Sequence, residues 1–201
     1  MFKVLRIARS IWRMVVRKVY KYLAKLAVRV EGGKLIANAS VTFSVPVRVD
    51  GKGSVIIGNF SSLGFKLAPK FGSGEILLQA REPGSVITIG EKSAFSNNVS
   101  IVARDRIEMG DYCLVGDRVT IMDADFHIVD PDLRLKERGP GETAPILIGS
   151  NCWIGTDAFI LKGVEIGDGS VIAPKSVVTK SFPDRSFIAG NPAQLIRTFS
   201  S

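Results

Sequence analysis

The stretch IGSNCWIGTDAFILKGVEIGDGSVIAPKSVV, residues 148–178, places an aliphatic residue at every sixth position. These aliphatic residues are Ile148, Ile154, Ile160, Ile166, Ile172 and Val178. A period of six matches neither the roughly 3.6-residue period of a helix nor the period of two of a lone strand. It is typical of a three-sided prism, in which one short strand and one corner together use six residues.

The same spacing extends towards the N-terminus and predicts an all-β solenoid, a parallel β-helix. It recurs through two earlier groups and is hinted at by Ile57 and Leu63; the two groups are Ile89, Phe95 and Ile101, and then Met109, Val115 and Ile121. We expect about seven coils between residues 34 and 188, stacked at the spacing of hydrogen-bonded strands. Cys113 and Cys152 fall on the small inward position of the repeat, so we predict that both lie in the core and are not nucleophiles.

One long polar loop, residues 122–146, interrupts the repeat. It contains His127, the only histidine of the chain, followed by Asp130-Pro131 and Arg134. An insertion that leaves a solenoid intact is usually functional. A neutral imidazole can accept the proton of a hydroxyl that attacks an acyl group. The aspartates that could orient this ring are Asp123, Asp125 and Asp130, and the sequence does not distinguish among them.

The N-terminal segment, residues 2–29, lacks glycine and proline and predicts an amphipathic helix that stops at residues 31–33. Residues 1–30 carry nine cations and no acid, so the remaining 18 cations face 19 acids, and the body is about neutral. This excludes a basic nucleic-acid-binding body. The apolar runs are too short for a membrane span or a signal peptide. The predicted apolar stripe is Leu5, Ala8, Trp12, Val15, Val19, Tyr22 and Leu26.

Two interpretations of this helix remain open at this stage. The apolar stripe could lie in a membrane interface, with the cations on anionic head groups. It could also pack against the body of the protein or against another copy of the helix. Both could hold at once.

Residues 89–197, with the His127, Asp130-Pro131 and Arg134 pattern, resemble the hexapeptide-repeat acetyltransferases, in particular the maltose, galactoside and polysaccharide O-acetyltransferases. The resemblance implies a left-handed β-helix, a homotrimer, acetyl-CoA as acyl donor, no metal, and His127 as general base. It also implies that each active site lies between two subunits.

Further site residues follow from the resemblance. Asn97 and Trp153 are expected to contact the acceptor, and we place Asp125, from the loop of His127, beside them. A backbone N–H near Thr156 is expected to stabilise the oxyanion. The residues expected along the acetyl-CoA path are Trp153, Thr156, Pro174, Thr179, Lys180 and Arg197. Pro174 and Gln194 depart from the family pattern, which leaves the detail of the donor contacts open.

The predicted organisation is an N-terminal helix (1–31), a β-helix domain (32–189) with the inserted loop 122–146, and a C-terminal tail (190–201). The predicted function is transfer of acetyl to a sugar hydroxyl of a cell-surface glycan or its precursor. The alternatives are N-acetylation of an amino sugar and a non-catalytic scaffold. A γ-type carbonic anhydrase would need three histidines on zinc. We expect a cytoplasmic protein, peripheral on the inner face of the plasma membrane.

Overall fold

The structure, a computed structural model, describes residues 2–65, 74–137 and 139–200, with side chains described from residue 15 onward. A long helix, α1 (Phe2–Val30), precedes a stack of short strands that form three sheets. Strands within each sheet pair in parallel, apart from the last pair. The predicted fold class, an all-β solenoid wound as a left-handed parallel β-helix, is confirmed.

Each sheet forms one side of a triangular prism. Sheet A contains β1 (Lys34–Ala37), β4 (Ser54–Ile57), β7 (Val86–Ile89), β10 (Arg106–Met109), β13 (Ile146–Ile148) and β16 (Glu165–Ile166). Sheet B contains β2 (Thr42–Phe43), β5 (Ser62–Leu63), β8 (Ala94–Phe95), β11 (Leu114–Val115), β14 (Trp153–Ile154), β17 (Val171–Ile172), β19 (Ser186–Gly190) and β20 (Ala193–Thr198). Sheet C contains β3 (Val47–Asp50), β6 (Ile76–Ala80), β9 (Ser100–Ala103), β12 (Thr120–Met122), β15 (Phe159–Ile160) and β18 (Val177–Val178).

The repeat of six sends successive aliphatic residues to successive sides of the prism. Ile148 lies in sheet A, Ile154 in sheet B and Ile160 in sheet C, and all three side chains are buried. Within the described ranges the chain completes six coils, and β19 begins a seventh. Cys113 and Cys152 are buried on neighbouring coils, as the repeat predicted.

Three corners join the sheets, and we name them AB, BC and CA by the sheets they connect. In the fifth coil these corners are residues 149–152, 155–158 and 161–164. Some corner positions take a left-handed backbone, such as Asn151 with φ 55° and Asp157 with φ 61°. Glycine is required at position 155 because an added Cβ would lie 2.5 Å from the backbone nitrogen of Pro174 on the next coil.

A second interruption, which the sequence did not reveal, separates β5 from β6 at a BC corner. The side chain of Asn97 on the next coil holds its first end, accepting a hydrogen bond from the Phe65 N–H at 3.1 Å. At the other end, Gly74 lies directly against the side chain of Asn98. Residues 66–73 fall outside the described ranges. The interruption therefore leaves the stack at the edge that also carries Asn97.

Helix α1 packs across the N-terminal end of the prism and contacts the strands of all three sides, β1, β2 and β3. Ala24 and Val28 are buried as part of the hydrophobic core. Lys21 donates hydrogen bonds to the backbone carbonyls of Asn38 and Val41. After Val30 the chain turns through Gly32, which has φ 88°. No helix in the described part of the chain is long and apolar enough to cross a bilayer.

At the other end of the prism, β20 folds back on β19 as an antiparallel pair. Gln194 of β20 pairs with Ala189 of β19, and Arg197 pairs with Phe187. The predicted C-terminal segment thus includes a strand that extends sheet B.

Candidate functional site

The loop that carries His127 leaves the prism at a CA corner, between β12 and β13. A short antiparallel contact between Ala124 and Thr143 closes its base. Asp125 continues this contact, since its N–H donates to the Glu142 carbonyl at 2.9 Å and its carbonyl accepts from the Gly141 N–H at 3.0 Å. The imidazole of His127 is exposed and lies two residues beyond this fixed root of the loop.

A lysine on the next coil binds both chain segments at the root of the loop. The Lys162 ammonium lies 2.9 Å from a carboxylate oxygen of Asp125 and 3.0 Å from one of Glu142. The hydrogen bond to Asp125, and next in size the one to Glu142, raise the pKa of Lys162 above its ordinary value. Because Lys162 belongs to the CA corner of the fifth coil, this ion-pair cluster ties the loop to the coil stack.

The residues after His127 form a compact turn around α2 (Pro131–Lys136). The Asp130 carboxylate caps this helix, accepting hydrogen bonds at 2.9 Å from the N–H groups of Asp132 and Leu133. The Arg134 guanidinium donates to the carbonyls of Ile128 and Val129, both at 3.0 Å. The Asp-Pro and arginine of the sequence pattern thus fix the backbone that follows His127.

The three aspartates that could have oriented His127 all have other partners. Asp123 is fully buried and accepts hydrogen bonds at 2.8 Å from the backbone N–H groups of Arg104 and Asp105. Burial raises the pKa of Asp123 above its usual range, although these N–H groups oppose the shift. Asp125 binds Lys162, and Asp130 caps α2. The carboxylates therefore shape the loop and hold its backbone in place.

Aromatic packing holds the loop from the opposite direction. Arg81 belongs to an earlier CA corner, and its guanidinium lies 4.2 Å from the centroid of the Phe126 ring. Phe126 directly precedes His127, so the loop is fixed on both sides of the exposed imidazole. Sequence reasoning missed Arg81, Glu142 and Lys162, because no local spacing links these residues to the loop.

The other predicted site residues lie on different parts of the prism. Trp153 is 53% exposed on the outer face of sheet B. Thr156 and the exposed Pro174 lie on BC corners of consecutive coils, whereas the exposed pair Thr179 and Lys180 lies on a CA corner. In a triangular prism the CA corner is opposite side B. A single chain therefore brings His127 and Lys180 to one edge but holds Trp153 on the far side.

Asn97 occupies a BC corner and is only 1% exposed. Its amide both accepts from the Phe65 N–H and donates to the Phe65 carbonyl, at 3.1 and 3.4 Å. The structure thus gives Asn97 a part in holding the corner, and its predicted contact with an acceptor remains a prediction.

A cavity of about 360 Å³ opens beside Trp153 on the outer face of sheet B. Its wall is mostly apolar, and Phe65, Leu114 and Trp153 line it. Another cavity, of about 850 Å³, lies over sheet A and is lined by Glu108, Glu165, Asp168 and Asp184 among other residues. Its four carboxylates disfavour an anionic ligand there. The cavity beside Trp153 is therefore the better candidate for part of the site.

The C-terminal end of the prism offers exposed cations. The Lys180 ammonium donates to the Gln194 side chain at 2.7 Å. The Arg197 guanidinium lies 5.6 Å from the ring centroid of Phe187 and 5.3 Å from that of Phe199. Gln194, a departure from the family pattern, thus holds Lys180 in place. Two fixed, exposed cations fit the phosphate groups of a nucleotide-bearing acyl donor.

Comparison with known proteins connects this geometry to a family. A sequence model of the bacterial transferase hexapeptide family (six repeats) matches residues 145–180. The Escherichia coli protein assigned as the colanic acid biosynthesis acetyltransferase WcaF is 34% identical over 123 residues, which cover 54% of this chain and 68% of that protein.

Two further relatives give the same result. Galactoside O-acetyltransferase of Escherichia coli is 40% identical over 114 residues, which cover 57% of this chain but only 55% of that enzyme's own length. A crystal structure of the hexapeptide-repeat acetyltransferase VCA0836 from Vibrio cholerae, complexed with acetyl-CoA, superposes with a TM-score of 0.54 at 27% identity. That match covers 72% of this chain and 70% of the other.

Proposed function

Because this chain belongs to the hexapeptide-repeat acetyltransferase family, we propose that it transfers an acetyl group from acetyl-CoA to a hydroxyl of a sugar in a cell-surface glycan or its precursor. The observation that carries the proposal is the exposed imidazole of His127 on a loop fixed to the coil stack by Lys162. The relatives named as a galactoside O-acetyltransferase and as an acetyltransferase of colanic acid biosynthesis support a sugar acceptor.

His127 acts as the general base in this proposal. Its neutral imidazole accepts the proton of the sugar hydroxyl while that oxygen bonds to the acetyl carbonyl carbon. Acetyl-CoA supplies the acetyl group as a thioester. The resulting imidazolium returns the proton to the departing sulfur, so the products are an acetyl ester and free CoA. A backbone N–H near Thr156 would stabilise the negative charge that develops on the carbonyl oxygen.

The distribution of residues on the prism supports a site shared between two copies of the chain. His127, Thr179 and Lys180 lie along the CA edge, whereas Thr156 and Pro174 lie along the BC edge and Trp153 lies on side B. A donor molecule in contact with both groups must lie between the CA edge of one subunit and the BC edge of its neighbour. A closed ring of three subunits would form three equivalent sites of this kind. We therefore propose a homotrimer.

Residues of α1 also favour a particular location in the cell. The helix carries cations without acids, which supports peripheral contact with the anionic inner face of the plasma membrane. An enzyme that modifies a membrane-anchored glycan precursor would meet its acceptor there.

Release of CoA from acetyl-CoA tests the proposed activity. The purified full-length chain would be offered acetyl-CoA with a panel of neutral sugars, amino sugars and lipid-linked glycans. Acceptor-dependent CoA release and an alkali-labile acetyl ester on the product are expected. An alkali-stable amide would assign N-acetylation instead, and failure to bind acetyl-CoA would favour a non-catalytic scaffold.

Lys162 should affect turnover without contacting the substrates. Replacing Lys162 by glutamine removes the charge that holds Asp125 and Glu142, so the loop base loosens and His127 is less well positioned. We expect kcat to fall roughly tenfold, with the KM for acetyl-CoA changed much less.

Lys52 provides a matched control for this variant. It is exposed on an earlier CA corner, and Lys52→Gln should leave kcat unchanged. A Lys162→Gln enzyme with the kcat of Lys52→Gln would show that the ion-pair cluster does not position the base.

A further inference from the structure

Over residues 15–30, where its side chains are described, helix α1 has two opposite apolar faces, and one of them packs against the prism. Ala24 and Val28 are 2% and 1% exposed and belong to the core. Projected at about 100° per residue, they lie opposite a second apolar face. This exposed face consists of Val15, Val19, Tyr22, Leu23, Leu26 and Val30, all between 46% and 82% exposed.

The charges on α1 decide what can cover this exposed face. Cations occupy the helix surface between the two apolar faces, at Lys18, Lys25 and Arg29. Residues 1–30 contain no acid that could pair with them. A second copy of the helix would bring the same charges and repel the first. An anionic bilayer offers both an apolar layer and the complementary charge.

We propose that the exposed face of α1 docks the enzyme on anionic lipid and stands the prism upright, so that the active site is held at a fixed height above the membrane. Because α1 contacts all three strands of the first coil, it lies across the end of the prism. Docking through its outer face therefore points the coil stack away from the bilayer.

The coil stack sets the height. The His127 loop leaves the fourth coil, three coil steps of ~4.8 Å above the first, and α1 adds a diameter of about 10 Å. Allowing for insertion of the helix by roughly 5–10 Å, the root of the loop stands on the order of 15–20 Å above the head-group boundary.

This height indicates which class of acceptor can reach the loop, on the premise of the acetyltransferase activity proposed above. The acceptor is a membrane-anchored glycan, acetylated on a sugar set back from its lipid anchor. A sugar attached directly to the lipid could not reach the loop of a docked enzyme.

Vesicle flotation tests the docking face. The full chain should float with phosphatidylcholine vesicles that contain phosphatidylglycerol, and much less with phosphatidylcholine alone or in high salt. Leu23→Glu with Leu26→Glu should lower the partition coefficient roughly tenfold or more. The matched control, Leu195→Glu with Ile196→Glu, places the same charges on exposed aliphatic residues of β20 and should float like the wild type.

A labelling experiment tests the upright orientation. Because both native cysteines are buried, a cysteine introduced at Val19 or at Thr198 can be labelled selectively with a polarity-sensitive dye. On anionic vesicles the Val19 label should shift to the blue, and the Thr198 label on β20 should not. A shift at both sites, or equal flotation of both glutamate variants, would overturn the proposal.

Two further outcomes are distinguishable. If the wild type sediments as an assembly larger than a trimer that Leu23→Glu with Leu26→Glu dissolves, a second copy covers the face and the membrane proposal is wrong. On vesicle-anchored glycans, the wild type should transfer acetyl faster as the glycan becomes longer. The variant Leu23→Glu with Leu26→Glu should lose this preference for longer glycans but retain acetyl transfer to soluble sugars. Absence of transfer by the wild type as well would contradict the proposed activity, whatever the flotation result.

Discussion

Replacing His127 by alanine is expected to slow acetyl transfer by ~10²- to 10⁴-fold, the usual contribution of a well-placed general base. The imidazole is exposed, and the loop around it is held by Lys162, Arg134 and Arg81. The substitution should therefore leave folding, assembly and acetyl-CoA binding unchanged. The loss should appear in kcat and in kcat/KM to the same degree.

Val129→Ala is the control for this variant, because it truncates another exposed side chain of the same loop. Its effect on kcat should stay small, since the contact that Val129 makes with Arg134 uses the backbone carbonyl. Acetyl-CoA affinity, measured by calorimetry, should be the same for both variants. If His127→Ala kept more than about a tenth of the turnover, another group would have to accept the proton.

The fold followed from the sequence because one contact pattern repeats along it. Each sixth residue from Ile148 to Val178 turns inward on the next side of the prism, so a short stretch determines the whole architecture. The interruption between β5 and β6 was missed because the repeat is weak before Ile89. Without regular aliphatic residues on both sides, a break in the spacing gives no signal.

The position of His127 could be predicted, but the means by which its loop is held could not. The ion-pair cluster joins Asp125 to Lys162, which are 37 residues apart, through the stacking of one coil on the next. The stacking was predictable, whereas the path of an irregular loop over it depends on many weak contacts. For the same reason the sequence offered three aspartates as partners of His127, and the structure gives each of them another role.

The N-terminal helix shows a different limit of sequence reasoning. The apolar stripe predicted from spacing contains Val15, Val19, Tyr22 and Leu26, and the structure leaves these side chains exposed. The prism is covered instead by Ala24 and Val28, which lie outside that stripe. Periodicity identifies apolar faces, but only the shape of the neighbouring surface decides which face is buried.

Two inactive variants should restore activity when they form mixed trimers. His127→Ala removes the base from the CA edge, and Trp153→Ala removes the aromatic wall on side B of the prism. In the proposed trimer each site takes these residues from different subunits. Co-expressed in equal amounts, the variants should regain about a quarter of the wild-type activity, because a site is intact when a Trp153→Ala subunit supplies His127 and its neighbour supplies Trp153.

A second co-expression, of the double variant His127→Ala with Trp153→Ala and the wild-type chain, distinguishes a shared site from a site inside one chain. With a shared site, about a quarter of the sites again receive both residues from wild-type subunits. With a site inside one chain, about half would be intact, and the two single variants would give no activity together. The arrangement of three sheets supports the first outcome, because the corner that carries His127 and the face that carries Trp153 are on opposite sides of the prism. Recovery by the single variants would therefore establish that each active site is formed by residues of two neighbouring subunits.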